Sequence, residues 1–472
     1  MNQNAESSVS KDLDSPLHQN AVPMPDFSKG GDPADFVEGL RATFGPLAPV
    51  LFEDDVAAWL VLDYEALSQV LGDHVDFPRA SGKWTEQVEG RFRPGMAIHP
   101  MFSDRGGLNA LCLDGAKHER RREAIDWALR VLTPKRVTTD AARLANNAID
   151  AFSERGQADL VADFAAVVPG LILNRWFGMT EQEFGQVVQS MTEQWNAGAD
   201  STQAQQRLVK HGTKVAAAKR AALAKGEVGP HDDLIAALIS APQGLSDIEI
   251  AFDLELLIGA AFEPVKNLTA SVLRLLLTDH AARAEVASAY TPVEAAIDQA
   301  LWRDPPIAAM PGRFPTKDVE VAGQPVRAGE GLVPCYLAAN RDPKLGSHQL
   351  DSVNQAYLSF GKGVHACPAR DTGRGIVTSA IWALLRRLPD VRLAVPAEEI
   401  TLGPSLYSRG PQSLPVTFTP VTPRETTGEQ QWDASPTSST PAPSTSRPKP
   451  ASSESSGRSS LFSFLQGWWS GR

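Results

Sequence analysis

The chain has 472 residues, and 45 basic against 56 acidic side chains leave a formal charge of −11. With 42% hydrophobic residues it can bury a substantial core, which excludes a small scaffold stapled by disulfides. Its three cysteines, Cys112, Cys335 and Cys367, form neither a disulfide framework nor a Cys-x-x-Cys pair, and the acidic balance argues against a nucleic-acid binder that works by neutralising phosphates.

Residues 1–24 are polar and lack a basic stretch followed by an apolar one, so they read as a flexible segment without a secretory signal. Residues 50–52 and 59–61 flank an acidic turn at Asp54 and Asp55, which predicts a short hairpin, and 64–71 predicts a helix. Helical periodicity dominates from His118 onward, over 141–152, 160–176, 213–224, 231–238, 247–278 and 293–302. The most apolar run, 254–262, is interrupted by Glu255 and closed by Glu263. It falls well short of the roughly 20 apolar residues that span a bilayer, so a soluble, cytoplasmic protein is expected.

Strand signals return at 318–321 and 324–326 around Ala322 and Gly323, and a helix follows a glycine-rich loop at 370–388, with short strands to Thr419. The composition then turns rich in Ser, Thr and Pro from about Thr422, which cannot bury a core. The last residues, SSLFSFLQGWWSGR, are too apolar for a solvated tail and suit a membrane surface or a groove on another protein. The outline is mainly α with a minor β-sheet: a single large domain over 25–420, followed by a disordered tail over 421–472.

The most informative segment is SFGKGVHACPAR, residues 359–370. Gly361 and Gly363 let the main chain lie close against a flat ligand, and Cys367 sits just before a helix N-terminus, where exposed N–H groups favour a thiolate. Such a thiolate can coordinate iron and push electron density toward bound oxygen. Phe360 would pack beside the sulfur, and His365 could reach an acidic edge of the ligand.

This segment resembles the haem-binding loop of the cytochrome P-450 family, Phe-x-x-Gly-x-x-x-Cys-x-Gly: Phe360, Gly363 and Cys367 are in register, whereas Ala369 replaces the last glycine. The resemblance implies a P-450 fold over about 25–420, haem b ligated through Cys367, and a soluble bacterial-type monooxygenase. It also implies that His118 and Arg122, four apart on one helical face, Arg313 and His365 hold haem propionates. Such an enzyme inserts one oxygen atom from dioxygen into a small apolar molecule, with electrons passed from NAD(P)H through ferredoxin reductase and ferredoxin. The family architecture places substrate contacts in the loop 80–108, on the central helix near Ala260 and Ala261, and after Pro306. AANRDP, residues 338–343, matches a family segment of structural role, and Lys362, Arg370, Arg374, Arg120 and Arg121 would form a basic face for an acidic ferredoxin.

Three departures stand out. The family's Glu-x-x-Arg is here Gln299 and Trp302, and LDSVNQAYLSF lacks the arginine that completes that ion network, so all three charges are missing together, as in P-450 subfamilies with Gln-x-x-Trp. Losing one partner would strand a buried charge at about 3–5 kcal/mol, whereas losing the whole set can be nearly neutral. The Ala-Gly-x-Asp/Glu-Thr-Thr pattern aligns with AAFEPV, residues 260–265, which keeps the acid as Glu263 but puts Pro264 and Val265 at the threonines. Valine cannot donate the proton that a hydroxyl would, Pro264 should widen a kink, and Glu263 becomes the candidate proton relay. Finally, Pro368 withholds an amide from the sulfur, which should leave the thiolate a stronger donor. Two alternatives follow: a peroxide-driven haem enzyme, and a non-catalytic P-450-like regulatory or scaffold protein.

Overall fold

A computed structural model describes residues 16–26, 33–93, 109–195, 201–288, 291–310, 312–350, 354–403 and 407–424, with Met96, Ile98 and Ser405 as single positions. The strands are β1 (Val22–Pro23), β2 (Leu47–Leu51), β3 (Ala57–Val61), β4 (Gln157–Asp159), β5 (Val319–Val321), β6 (Gln324–Val326), β7 (Leu332–Pro334), β8 (Arg392–Leu393) and β9 (Pro415–Thr417). They form a four-stranded sheet in the order β1-β2-β3-β7, a three-stranded sheet β4-β9-β8 and the hairpin β5-β6.

The expected hairpin is β2-β3, antiparallel with Val50 opposite Ala58, and the acidic residues make the turn Glu53–Asp55 between them. β5-β6 turns at Ala322, which takes a positive φ of 50°. All of β3 and β7 is buried, which explains their continuous apolar runs rather than an alternating pattern.

Everything else is built on the helix Asp247–Thr278. A capping box opens it, with the Ser246 hydroxyl at the Glu249 amide and the Glu249 carboxylate at the Ser246 amide. Its apolar residues from Ile250 to Leu277 run through the largest core cluster. Around it lie the helices Ser201–Ala224, Val293–Arg303 and Arg370–Arg387. The helix is continuous across Pro264.

Some boundaries differ from expectation for local reasons. The helix expected to begin at 231 runs Leu234–Ser240, because the Asp233 carboxylate caps it by accepting from the Ala236 amide at 2.8 Å. The helix Pro33–Phe44 was not anticipated, and it buries only a thin stripe that includes Val37 and Leu40. Nor was Glu181–Trp195. At the N-terminus the boundary at residue 24 needs correction: Leu17 is buried and Val22 pairs with Val50 of β2, so apolar residues inside a polar stretch join the fold. At the other end Val421 donates to the Ser153 carbonyl at 2.9 Å and Arg424 bonds Asp150, which carries the folded body past 420. The aromatic C-terminal motif lies outside the described residues.

No helix among the described residues is long and apolar enough to cross a membrane.

Candidate active site

The Cys367 loop is a pair of tight turns. Gly361 and Gly363 have φ of 71° and 73°, and a Cβ on Gly363 would stand 2.7 Å from the Leu71 carbonyl oxygen, so only glycine fits there. The Gly361 amide donates to the Leu358 carbonyl at 2.7 Å and the Cys367 amide to the Phe360 carbonyl at 2.8 Å, which folds the chain back so that Cys367 precedes the helix Arg370–Arg387.

Cys367 is exposed, while Cys335 is fully buried with its thiol pushed up to about 12 by that burial. The Cys367 thiol is also raised, by the desolvation that the protein packed around it causes. The Ala369 amide, together with the charges of Arg122 and Arg370, pulls it the other way. Pro368 therefore removes one amide, but the next one still serves the sulfur.

Asn340, in the AANRDP segment, holds the loop from below: it accepts from the Leu358 amide at 2.8 Å and donates to the Leu301 carbonyl and the Ser359 hydroxyl. Asp342 accepts from the Tyr64 amide at 2.9 Å. Both contacts are structural.

The helix Gly115–Leu129 brings His118 and Arg122 to the same loop. Arg122 Nη1 donates to the Val364 and Ala366 carbonyls at 3.0 and 2.8 Å, while its Nε pairs with Asp126. The His118 ring lies 4.1 Å from that of His365. Burial drives His365 down to about 4 and also lowers His118, with the nearby Arg122 adding to the latter effect, so both imidazoles are uncharged at neutral pH. Asp114 does not cap this helix with its side chain. Its carboxylate instead accepts from the Arg79 and Ala80 amides at 3.0 and 2.8 Å and stands 3.5 Å from His365 Nε2. Burial opposes that charge, but these donors hold the Asp114 carboxyl below its usual range.

Arg79 is the site residue that the sequence did not single out. The Phe314 amide donates to the Pro78 carbonyl at 2.9 Å, and this link sets Arg79 beside Arg313 although 234 positions separate them. Both arginines are buried. Arg313 Nε has no hydrogen-bond partner, and burial plus the charge of Arg79 brings the guanidinium down to about 9, still protonated at neutral pH. Arg79 Nε donates to the Leu111 carbonyl at 3.2 Å, so it is the unpartnered Nε of buried Arg313, beside two neutral imidazoles, that suits an anionic group.

No protein-family model matches the sequence. The chain is 31% identical over 394 residues to vitamin D3 dihydroxylase from Streptomyces griseolus, across 80% of this chain and 92% of that one. The chain belongs to the cytochrome P-450 family. It is also 30% identical over 381 residues to nocardicin C N-oxygenase from Nocardia uniformis subsp. tsuyamanensis, across 76% and 89% of the two chains. Among solved structures, CYP154C4 from a Streptomyces species aligns with a TM-score of 0.74 at 26% identity, covering 84% of this chain and 98% of that one. The mainly helical single-domain P-450 fold and the oxidoreductase class follow from these relatives.

The residues fit the haem of this family. Cys367 offers an exposed thiol on the loop that also carries His365, whose ring meets His118 and feels the charges of Arg79 and Arg313, and the unsatisfied Arg313 Nε is suited to a carboxylate such as a propionate. Phe360, Gly363, His365, His118, Arg122, Arg313 and Cys367 are thus brought together around one loop.

Glu263 is not joined to them by any contact among the described residues. Lys266 Nζ reaches both its carboxylate oxygens, at 2.7 and 2.8 Å, and Asn267 donates at 3.2 Å. The Lys266 side chain is 2% exposed and that of Glu263 39%. Ala260 is exposed on the same helix and Ala261 half-buried, whereas most of the loop 80–108 beyond residue 93 lies outside the described residues.

The basic face also needs correction. Arg121 is buried against Asp253 at 2.7 Å and Arg374 against Asp298, because each is drawn inward by a buried carboxylate; Arg120 pairs with Glu249 at 2.6 Å. Of the five, Lys362 is exposed and Arg370 lies over the Tyr357 and Phe360 rings.

Proposed function

We propose that this P-450 is a haem-thiolate monooxygenase that inserts one atom of dioxygen into a small apolar molecule, using electrons that pass from NAD(P)H through a ferredoxin reductase and a ferredoxin. The observation that carries the reading is the glycine-shaped Cys367 loop set beside the buried Arg313, whose Nε lacks a hydrogen-bond partner. Haem b held by a thiolate supplies the activation of dioxygen.

Within that reading, Cys367 is the axial ligand and Phe360 and Gly363 shape its loop. Arg79, Arg313, His118 and His365 receive the propionates, and Arg122 braces the loop through the Val364 and Ala366 carbonyls. Glu263 is the candidate proton relay, held by Lys266. A cytoplasmic location, a small-molecule substrate and a partner-binding role for the C-terminal tail belong to the same proposal.

The peroxide-driven reading is favoured by one specific feature, the Pro264-Val265 pair in place of hydroxyl-bearing residues. The deciding experiment is the spectrum of the purified protein, reduced and treated with carbon monoxide, followed by turnover with NAD(P)H, reductase and ferredoxin against turnover with peroxide alone. A thiolate-type Soret band and ferredoxin-dependent turnover are expected. Absence of bound haem overturns the proposal, and turnover with peroxide alone replaces it with the second reading.

A further inference from the structure

The family's ion network is absent from its usual positions, since Gln299 and Trp302 carry no charge and the segment before the cysteine loop has no arginine. Another buried charge set occupies the same crossing of helices. Asp298, one residue ahead of Gln299 on the helix Val293–Arg303, is buried and pairs with Arg374 from the helix Arg370–Arg387. The Tyr357 hydroxyl completes the set: it donates to Asp298 Oδ1 at 2.9 Å and accepts from Arg374 Nη1 at 2.6 Å. Gln355 Nε2 takes the second Asp298 oxygen at 3.2 Å. Both oxygens of the carboxylate are thus engaged, Oδ1 by Arg374 and Tyr357 and Oδ2 by Gln355, which favours one geometry for the buried pair.

The contacts continue to the sulfur. The Tyr357 ring lies 6.1 Å from the Phe360 ring, and the Arg370 guanidinium covers both, 5.3 Å from one centroid and 5.6 Å from the other, with Nη2 3.3 Å from the Tyr357 hydroxyl. The Phe360 carbonyl in turn accepts from the Cys367 amide at 2.8 Å. Trp302, the residue in the place of the missing arginine, anchors the same segment from the other side: its Nε1 donates to the Asn354 carbonyl at 2.9 Å, and its ring meets Tyr357 edge-on at 5.7 Å.

We infer that Asp298, Arg374 and Tyr357 are positioning residues that substitute for the missing ion network and hold the Cys367 loop in its ligating shape. The inference rests on the reading of Cys367 as the haem ligand. A network that merely stabilised the fold would change unfolding without touching the ligand, so the test separates the two.

In the haem-loaded enzyme, Tyr357→Phe keeps the ring and removes only the hydroxyl, and Arg374→Met removes the buried cation. The control is Asp233→Ala, which breaks the buried Lys219 pair at 2.7 Å in another part of the molecule. The readouts are the unfolding midpoint and, well below it, the rate at which the reduced, carbon monoxide-treated protein loses its thiolate-type Soret band. Arg374→Met should lose the band about tenfold faster than the native protein and Tyr357→Phe a few-fold faster, while Asp233→Ala keeps the native rate despite a lower midpoint. Loss at the native rate in both network variants, or no faster than in Asp233→Ala for an equal drop in midpoint, overturns the inference. If Arg374→Met fails to fold, Tyr357→Phe decides alone. A native protein that binds haem without a thiolate-type band refutes the ligand assignment before any variant is made, and the inference falls with it.

Discussion

The cysteine loop and the middle of the central helix both depart from the family pattern, yet the structure treats the two departures differently. Around the loop, the missing charges are matched by another set, Asp298, Arg374 and Tyr357, at the same helix crossing. Pro264 and Val265 themselves carry no hydroxyl, the Thr269 hydroxyl one turn on is spent on the Val265 carbonyl at 2.7 Å, and Lys266 and Asn267 bind the remaining acid, Glu263. Bracing can be rebuilt from different residues because any well-satisfied buried pair supplies it. Proton delivery needs a particular atom at a particular place, and a neighbouring ion pair is no equivalent.

Predictions follow from that contrast. Cys367→Ala should abolish the thiolate-type spectrum and turnover entirely, as read by reduced carbon monoxide spectra. Gly363→Ala comes next: a Cβ 2.7 Å from the Leu71 carbonyl, at a φ of 73°, should cost about 1–3 kcal/mol in urea unfolding and lower haem occupancy. On the central helix, Glu263→Gln leaves the buried Lys266 charge without its carboxylate and should destabilise by about 1–3 kcal/mol. A Glu263→Gln/Lys266→Met double variant then sharpens the contrast. Restored stability with turnover still depressed identifies Glu263 as a relay, whereas restored turnover limits it to pairing with Lys266.

Val265→Thr should raise dioxygen-driven turnover up to about tenfold, the worth of one well-made hydrogen bond, without raising peroxide-driven turnover. An unchanged ratio of the two activities would show that the hydroxyl is not what this region lacks. The smallest expected effect is redox: Pro368→Leu should shift the haem potential upward in a spectroelectrochemical titration, since it adds an amide beside the sulfur to the one already given by Ala369.

One pH effect lies between the two regions, where Arg120 ties the helix Gly115–Leu129 to the start of the central helix. The Arg120 guanidinium holds the Glu249 carboxyl at about 2 against an ordinary 4.5. A depressed carboxyl contributes stability that is fully present above the unfolded value and is lost as pH falls through the folded one. Native unfolding midpoints should therefore drop between about pH 4.5 and 2, and Glu249→Gln should flatten that part of the profile, the effect being small because the pair is partly solvated.

Much of the site was legible in the sequence because it is local. Phe360, Gly363 and Cys367 sit within eight consecutive positions, and glycines at forced backbone angles leave a mark in the text. His118 and Arg122 were legible as one helical face, though the use of Arg122 as a brace for the loop carbonyls was not. Arg79 carries no local signal, as its meaning comes from the Phe314–Pro78 hydrogen bond that sets it against Arg313. The reading of Arg121 and Arg374 as part of a charged surface failed for the same reason: composition counts charges, while the buried carboxylates Asp253 and Asp298 decide which of them turn inward.

The family, the thiol proposed to carry the chemistry, the long central helix and its departures at Pro264 and Val265 can all be read from the order of residues, because these depend on residue type and near neighbours. That two buried guanidiniums stand beside the His118–His365 pair, that Glu263 is paired, and that the missing ion network has a substitute one residue away came from the folded arrangement alone. Each of those depends on side chains from separate helices and loops meeting in a low-dielectric interior. There a charge must find a partner, and the partner can stand anywhere in the chain.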